Sequence, residues 1–438
     1  MHDNNGFQYW QVVFDEKGKR TAGSGVVAEI AASGLKDLWV FSHGWNNQPA
    51  AAERLYSRFL EQCRNVLSRT TVHVDQEPGL LGILWPSTLM PDEEMPGDEQ
   101  GGGASLDIDD PYERLRKLFK TKVDIGALVE GLHEGNAEDF QAFLKVILAP
   151  SQKGFGPEDR GGFEALLTGE PVATLTALAD LAAPEPEFEG GAAGLDFLGG
   201  IHDAVNGVVD KIQAGAREAL RAAAYWKMKQ RAGVVGTKGL APMLAELATA
   251  APGLRFHLVG HSFGARVVSF ALDAANPAWE REASPVKSLL LLQGAFSKWA
   301  FDTDLDLDQG RAGALAGRQS RVDGPLIVTH TMKDSAVGKL YPLASMLGRQ
   351  DAAAFEDIDD AIAEWHAMGH KGADGVDALA DVLADEPKKY AFEKGRFINL
   401  DANDIIKDGG GISGAHGDLF HPEVAWTALT GAGIVKAP

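Results

Sequence analysis

Short, predominantly apolar runs recur along the chain at 38–42, 80–85, 256–259, 286–292, 325–331 and 396–400. Each has the length of a strand and lacks the polar alternation of a half-exposed one, so each predicts a buried strand. Between them lie stretches with helical spacing. Over 50–67, Leu55, Phe59, Leu60, Cys63, Val66 and Leu67 recur on one side, and 240–250 and 265–272 predict further helices. Residues 7–14, followed by the turn residues Asp15-Glu-Lys-Gly18, predict a first edge strand, and the Ala-rich 21–33 a short helix. The alternation of strands and helices argues an α/β fold, a mostly parallel sheet with helices on both faces.

The pattern changes after Trp85. Residues 87–110 carry eight acidic residues, no Lys or Arg, and the triplet Gly101-Gly-Gly103, which predicts a solvated loop. Helical segments are predicted at 112–119, 124–133, 137–148, 162–167 and 174–181, with a break at 184–191 and one or two long helices over 198–228. In the last of these, Phe197, Leu198, Ile201, Val205, Val208 and Ile212 form an apolar stripe. Such a stripe serves core packing more often than it lines an acyl pocket.

With 438 residues and 45% hydrophobic content the chain can bury a large core, as one domain with insertions or as two. The formal charge of −21 argues against nucleic acid or an anionic membrane as a partner held by a broad electrostatic surface. Cys63 is the single cysteine, so no intramolecular disulfide can form, and a buried inert thiol is the expectation for it. The N-terminus has neither the basic nor the apolar region of a leader, and no run approaches the length of a membrane span. A cytoplasmic protein with no integral membrane segment is therefore expected, and its oligomeric state is left open.

Gly23-Ser-Gly-Val-Val-Ala28 matches the G-x-G-x-x-A of a dinucleotide site in letters only. Charged residues at 17–20 precede it, where such a loop must leave directly from a buried strand. No cofactor is expected. Gly260-His-Ser-Phe-Gly264 is more informative, because it lies between a predicted buried strand and a predicted helix. A turn that tight strains the backbone at Ser262 and lifts its hydroxyl clear of the sheet, while Gly260 and Gly264 leave room for the helix.

On these residues the chain resembles the α/β-hydrolases. It is similar to a bacterial subgroup of them, through Val40-Phe-Ser-His-Gly-Trp-Asn-Asn47, Leu84-Trp-Pro-Ser87 and Gly260-His-Ser-Phe-Gly264. The likeness covers roughly 7–86 and 221–430. It implies a hydrolase core over 1–86 and 221–438, with 87–220 inserted as a helical cap or lid carrying the acidic loop. It also implies that the strand at 80–85 lies beside the strand leading to Ser262.

The resemblance further implies an oxyanion hole built from the backbone N–H groups of Trp45 and Phe263, with His43, Gly44 and His261 close to the pocket. A serine hydroxyl needs a base, and the fold's chain order is nucleophile, acid, histidine. Asp334 follows the strand at 325–331 and so stands where the fold carries its acid. Asp323 precedes that strand, and the acidic cluster at 302–308 follows an earlier one. After the last strand, His416 sits on a Gly-rich loop, and its rival His421 is followed by Pro422, which suits the first turn of a helix.

These residues imply a serine hydrolase that cleaves carboxylic esters, with a small-molecule or lipid-like acyl substrate. An amidase, peptidase or thioesterase would use the same groups, and a non-catalytic interaction protein could use the same scaffold. His366 and His370 stand four apart on an expected helix, a spacing that can bind zinc, but they lack the Glu of H-E-x-x-H and an obvious third ligand. No metal is expected. His257 and His330 lie in apolar strands and read as hydrogen-bonded core residues.

Overall fold

The computed structural model describes residues 2–45, 47–69, 74, 76–87, 112–132, 142–143, 146, 200–304, 312–337, 366–409 and 411–436. Strands are β1 His2–Asn4, β2 Phe7–Phe14, β3 Arg20–Ala22, β4 Asp37–Ser42, β5 Gly79–Leu84, β6 Arg255–His261, β7 Val286–Leu292, β8 Leu326–His330, β9 Ala378–Val382 and β10 Phe397–Asp401. They form one open sheet in the order β1-β2-β5-β4-β6-β7-β8-β10-β9, with β3 paired to β2. Only β1 and β3 run antiparallel to their neighbour; every other pairing is parallel.

The helices are α1 Val26–Ala32, α2 Pro49–Arg69, α3 Glu113–Phe119, α4 Ile125–Glu130, α5 Gly200–Val234, α6 Ala241–Ala250, α7 Phe263–Asp273, the single turn α8 Met368–Lys371 and α9 Pro422–Gly431. They cover both faces. The apolar side of α2 (Leu55, Phe59, Leu60, Cys63, Val66) packs with Trp426 and Leu429 of α9 under Trp39, Phe41 and Leu290. Edge-on aromatic pairs join sheet and helix there, Trp39 to Phe59 at 5.4 Å and Phe41 to Phe59 at 5.1 Å. On the other face Ile30 of α1, Met228 of α5, Leu244 of α6 and Val267 of α7 close over Val40, Leu258 and Leu291.

The sequence reading of a mostly parallel α/β sheet flanked by helices matches this arrangement, and β7 has the expected bounds. One pairing expected from the resemblance does not hold. β5 is not the neighbour of β6; β4 lies between them, with Leu38 opposite Phe256 on one side and opposite Gly79 on the other. With β4 next to β6, the chain leaving Ser42 passes over the turn at Ser262. Residues 7–14 are likewise inside the sheet edge, because β1 and β3 flank them.

Residues 88–110 of the expected acidic loop, most of the helix expected over 137–148, the helices over 162–167 and 174–181, the break at 184–191, and the stripe residues Phe197, Leu198, Ile201, Val205 and Val208 lie outside the described residues or side chains; within 137–148, Phe143 and Val146 are described, helical and buried in the core. Of that stripe Ile212 is described, buried in the same core as Leu115, Ile125 and Val129 of α3 and α4. The boundary expected near 220 falls inside α5, one continuous helix of 35 residues. Among the described residues, no helix is long and apolar enough to cross a membrane.

Candidate active site

β6 ends at His261, and α7 begins at Phe263, leaving Ser262 alone to turn the chain. Its φ of 56° and ψ of −123° fall where a side chain is strained. The flanking glycines explain how the turn closes. A Cβ at Gly260 would stand 2.5 Å from the Ala265 backbone, and one at Gly264 would fall on the Ser42 carbonyl oxygen. The neighbouring strand holds the strain in place: Ser262 N–H donates to Leu292 O at 3.0 Å, and Ala295 N–H donates to Ser262 O at 3.2 Å. Gln293, between those partners, is also left-handed at φ 42° and fully buried, and its side-chain amide has no partner among the described residues.

The loop after β4 passes over the serine. A Cβ at Gly44 would lie 2.5 Å from Ser262 Cβ and 3.1 Å from Ser262 Oγ, so only bare backbone fits there. Three residues fix this loop. Tyr56 of α2 accepts the His43 N–H at 3.0 Å and donates to Ile83 O at 2.7 Å, bridging β4 to β5. Trp85 stacks on the His43 ring at 5.4 Å and donates its indole N–H to His43 O at 3.0 Å. Ser87 Oγ donates to Asn47 O at 2.6 Å. The Trp-Pro-Ser stretch therefore clamps the His-Gly-Trp loop.

Phe263 N–H belongs to the first turn of α7, so helix geometry gives it no intrahelical acceptor. Trp45 follows Gly44 on the loop above. Its ring meets Tyr225 of α5 edge-on at 6.1 Å, and Tyr225 packs on Phe263 at 4.8 Å, so an aromatic trio roofs this side.

Asp334, fully buried just beyond β8, accepts the Val337 N–H on Oδ1 at 3.2 Å and meets His416 Nδ1 through Oδ2 at 2.7 Å. That contact assigns the Nδ1 proton of His416 and leaves Nε2 as the ring's acceptor. The loop bearing His416 docks on the Asp334 loop through Ala415 N–H, which donates to Lys333 O at 3.1 Å, and through the left-handed Gly414. His261 holds it from the other side: its Nε2–H donates to the His416 carbonyl at 2.9 Å, with ring centroids 4.8 Å apart. Among the described residues the Ser262 hydroxyl makes no hydrogen bond to His416; the closed link is between imidazole and carboxylate.

Burial pushes the His43 imidazole down to about 4, and its Nδ1–H donates to Gly44 O at 2.8 Å while Nε2 accepts the Trp85 N–H at 3.3 Å. His261 is also driven well below its ordinary value, first by burial and then by the neighbouring His416. Both rings are neutral near pH 7, which fits them to positioning. His421 begins α9 as expected, and its Nε2 contacts Asp418 Oδ1 at 2.6 Å.

His366 and His370 do come together, at 4.1 Å between rings, but around the short turn α8 and not along a helix of useful length. Among the described residues no group of three or more His, Cys, Asp or Glu could hold a metal ion. The supporting roles of Tyr56 and Gln293 carried no signal in the sequence; the contact of Trp85 with His43 was foreshadowed only by its place in a motif. Comparison with known proteins returns no matching family model, no matching curated protein and no matching solved structure.

Proposed function

We propose that the chain is a serine hydrolase of the α/β-hydrolase type that cleaves carboxylic esters. The observation that carries the reading is the strained turn at Ser262 beside a carboxylate–imidazole pair, Asp334 Oδ2 to His416 Nδ1 at 2.7 Å. His416 Nε2 takes the Ser262 proton as Oγ attacks the ester carbonyl. The N–H groups of Trp45 and Phe263 hold the negative oxygen of the tetrahedral intermediate. Collapse expels the alcohol, which receives its proton from His416. Water, deprotonated by the same ring, then attacks the acyl-enzyme, releases the acid and restores the serine.

In this reading 87–220 is an inserted cap joined to the core through α5, whose Tyr225 reaches the rings of Trp45 and Phe263. Amide and thioester cleavage would use the same groups, and nothing observed favours them. The test is labelling by a fluorophosphonate probe together with turnover of short p-nitrophenyl esters. Ser262→Ala removes both while the far-UV spectrum stays unchanged. Labelling at another residue, or turnover retained in the variant, overturns the reading.

A further inference from the structure

The chain between Asp408 and Asp418 carries His416 and holds five glycines among its nine residues, so its backbone has little stiffness of its own. One carboxylate closes this loop at its base. Asp418 Oδ2 accepts the N–H groups of Lys407 and Asp408 at 3.0 Å each, on the limb that leaves the sheet after β10, and Oδ1 meets His421 Nε2 at 2.6 Å, on the limb that enters α9. Both limbs are anchored in turn. Ala402 N–H donates to His330 O at 2.9 Å and Ile406 N–H to Ala402 O at 2.8 Å, while His421 O accepts the Val424 and Ala425 N–H groups of α9 at 3.1 and 3.2 Å.

An ionised acceptor that gathers three donors is a stronger tie than neutral turn bonds. Burial alone would raise the Asp418 carboxyl, but the bonds from His421, Asp408 and Lys407 outweigh it and hold the group below its ordinary value. Asp418 in turn raises the His421 imidazole against the opposing effect of burial, and Glu423 and Asp408 add to the rise. The tie also reaches toward the candidate base. Asp418 N–H donates to Ala415 O at 3.1 Å, and the N–H of the same Ala415 docks on Lys333 O beside Asp334.

We propose that Asp418 is a positioning residue for His416: by clasping 407–408 to His421 it sets where the loop presents the imidazole to Asp334 and Ser262. The inference rests on the hydrolytic reading above. Lys333 and His261 hold the tip of the loop through Ala415 N–H and the His416 carbonyl, and Asp418 holds its base. The ring makes its own bond to Asp334 at 2.7 Å, so a loop freed at the base carries the imidazole off that line. A displacement of about 1 Å costs a reaction of this kind about a hundredfold.

The test compares Asp418→Ala with Asp418→Asn. The Asn oxygen still accepts from Lys407 and Asp408, and its NH2 can donate to a neutral His421, so Asn keeps the clasp and Ala loses it. On a p-nitrophenyl ester Asp418→Ala is expected to lose about tenfold to a hundredfold in kcat with KM nearly unchanged, and Asp418→Asn to recover most of that loss. Nitrogen-15 NMR of the His416 ring, assigned by its loss in His416→Gln, reads the placement directly. Nδ1 keeps its proton in wild type and in Asp418→Asn, and the ring becomes a mixture of tautomers in Asp418→Ala. Wild-type kcat in Asp418→Ala overturns the proposal, as does an unchanged ring in a slowed variant, or an Asn variant no better than Ala. If Asp418→Ala does not fold, His421→Phe and the donor-keeping His421→Gln take the places of Ala and Asn. If wild type cleaves no ester, the hydrolytic reading fails instead and the NMR comparison decides alone: a ring alike in the two variants overturns the clasp, and a difference between them in the stated sense supports it.

Discussion

Replacing Asp334 by Asn isolates the part of the candidate site that the geometry defines best. The carboxylate is fully buried, with Oδ1 accepting from Val337 N–H at 3.2 Å and Oδ2 facing His416 Nδ1–H at 2.7 Å. An amide of the same shape can keep only one of these bonds in its present sense. If the Asn oxygen stays with Val337, its NH2 faces His416 and forces the ring to accept at Nδ1 and carry its proton on Nε2. That tautomer cannot take a proton from Ser262. If the amide turns over, its NH2 confronts the Val337 N–H, leaving two buried donors in contact at a cost of about 1–3 kcal/mol. The wrong tautomer is thus the expected state. Its consequence in a triad is a loss of about 10⁴ in kcat, roughly 5 kcal/mol of transition-state stabilisation. The assay is kcat/KM on a p-nitrophenyl ester for wild type and Asp334→Asn, with thermal denaturation to show that the variant is folded. A folded Asp334→Asn protein within about tenfold of wild type would refute the assigned role of the carboxylate.

Other consequences can be read from single contacts. Ser262→Gly relieves the backbone at φ 56° and raises stability by about 1 kcal/mol in urea titrations while removing turnover; a destabilised variant contradicts the strain. His261→Phe deletes the bond to the His416 carbonyl and is expected to lower kcat about tenfold to a hundredfold with KM nearly unchanged. His261→Gln, whose amide can donate there, restores part of that loss, and equal activity in all three proteins removes His261 from the mechanism. For His43 the folded value of about 4 lies below the unfolded value near 6.5, so its contribution to stability is complete above 6.5 and is lost as pH falls toward 4. That contribution is about 3 kcal/mol, and an NMR titration in which the His43 ring protonates near pH 6 would contradict it.

What the sequence disclosed and what it hid divide along a physical line. Buried central strands announce themselves because both faces are covered, and β4, β6, β7, β8 and β10 all fall within a residue or two of the apolar runs. Edge strands do not: the Ala-Leu-Ala-Asp-Val of β9 is half-exposed along its length and has no apolar run to notice. The neighbour of β6 was misjudged because strand order is a non-local pairing that no local pattern encodes. The wide π-helical turn at Val235–Leu240 was equally invisible, since it is imposed by close packing of Gly236 and Gly239 on α7 and β2. At the candidate site, Asp334 and His416 were reached by chain order and meet in the folded protein. Gln293 was not, because its strained φ and isolated amide arise only when the turn after β7 clasps Ser262.

A hydrogen-bonded serine, histidine and carboxylate are not by themselves a site, and the chain contains its own counterexample. Ser288 Oγ meets His257 Nδ1 at 2.9 Å, and His257 Nε2 meets Asp37 Oδ1 at 2.9 Å, across three adjacent strands near their amino ends. All three residues are buried, and Arg255 also grips Asp37 through both carboxylate oxygens, at 2.7 and 2.5 Å. Burial alone would raise the Asp37 carboxyl, but the bonds from His257 and Arg255 outweigh it and hold the group low, while burial keeps His257 below its ordinary value. Ser288 lies within β7, just after the irregularity where the register with β6 shifts between Phe256 and His257, and its backbone has no positive φ and does not open a helix as Ser262 does. The Ser288 trio is the more completely hydrogen-bonded of the two, so what sets Ser262 apart is the strained turn and the helix start around its alcohol. Ser288→Ala should leave His257 Nδ1 without its partner and cost about 1–3 kcal/mol of stability, yet leave ester turnover and probe labelling at wild-type levels. Fluorophosphonate attached to Ser288 would mean that the strained turn and the amide donors are not what makes an alcohol reactive in this protein.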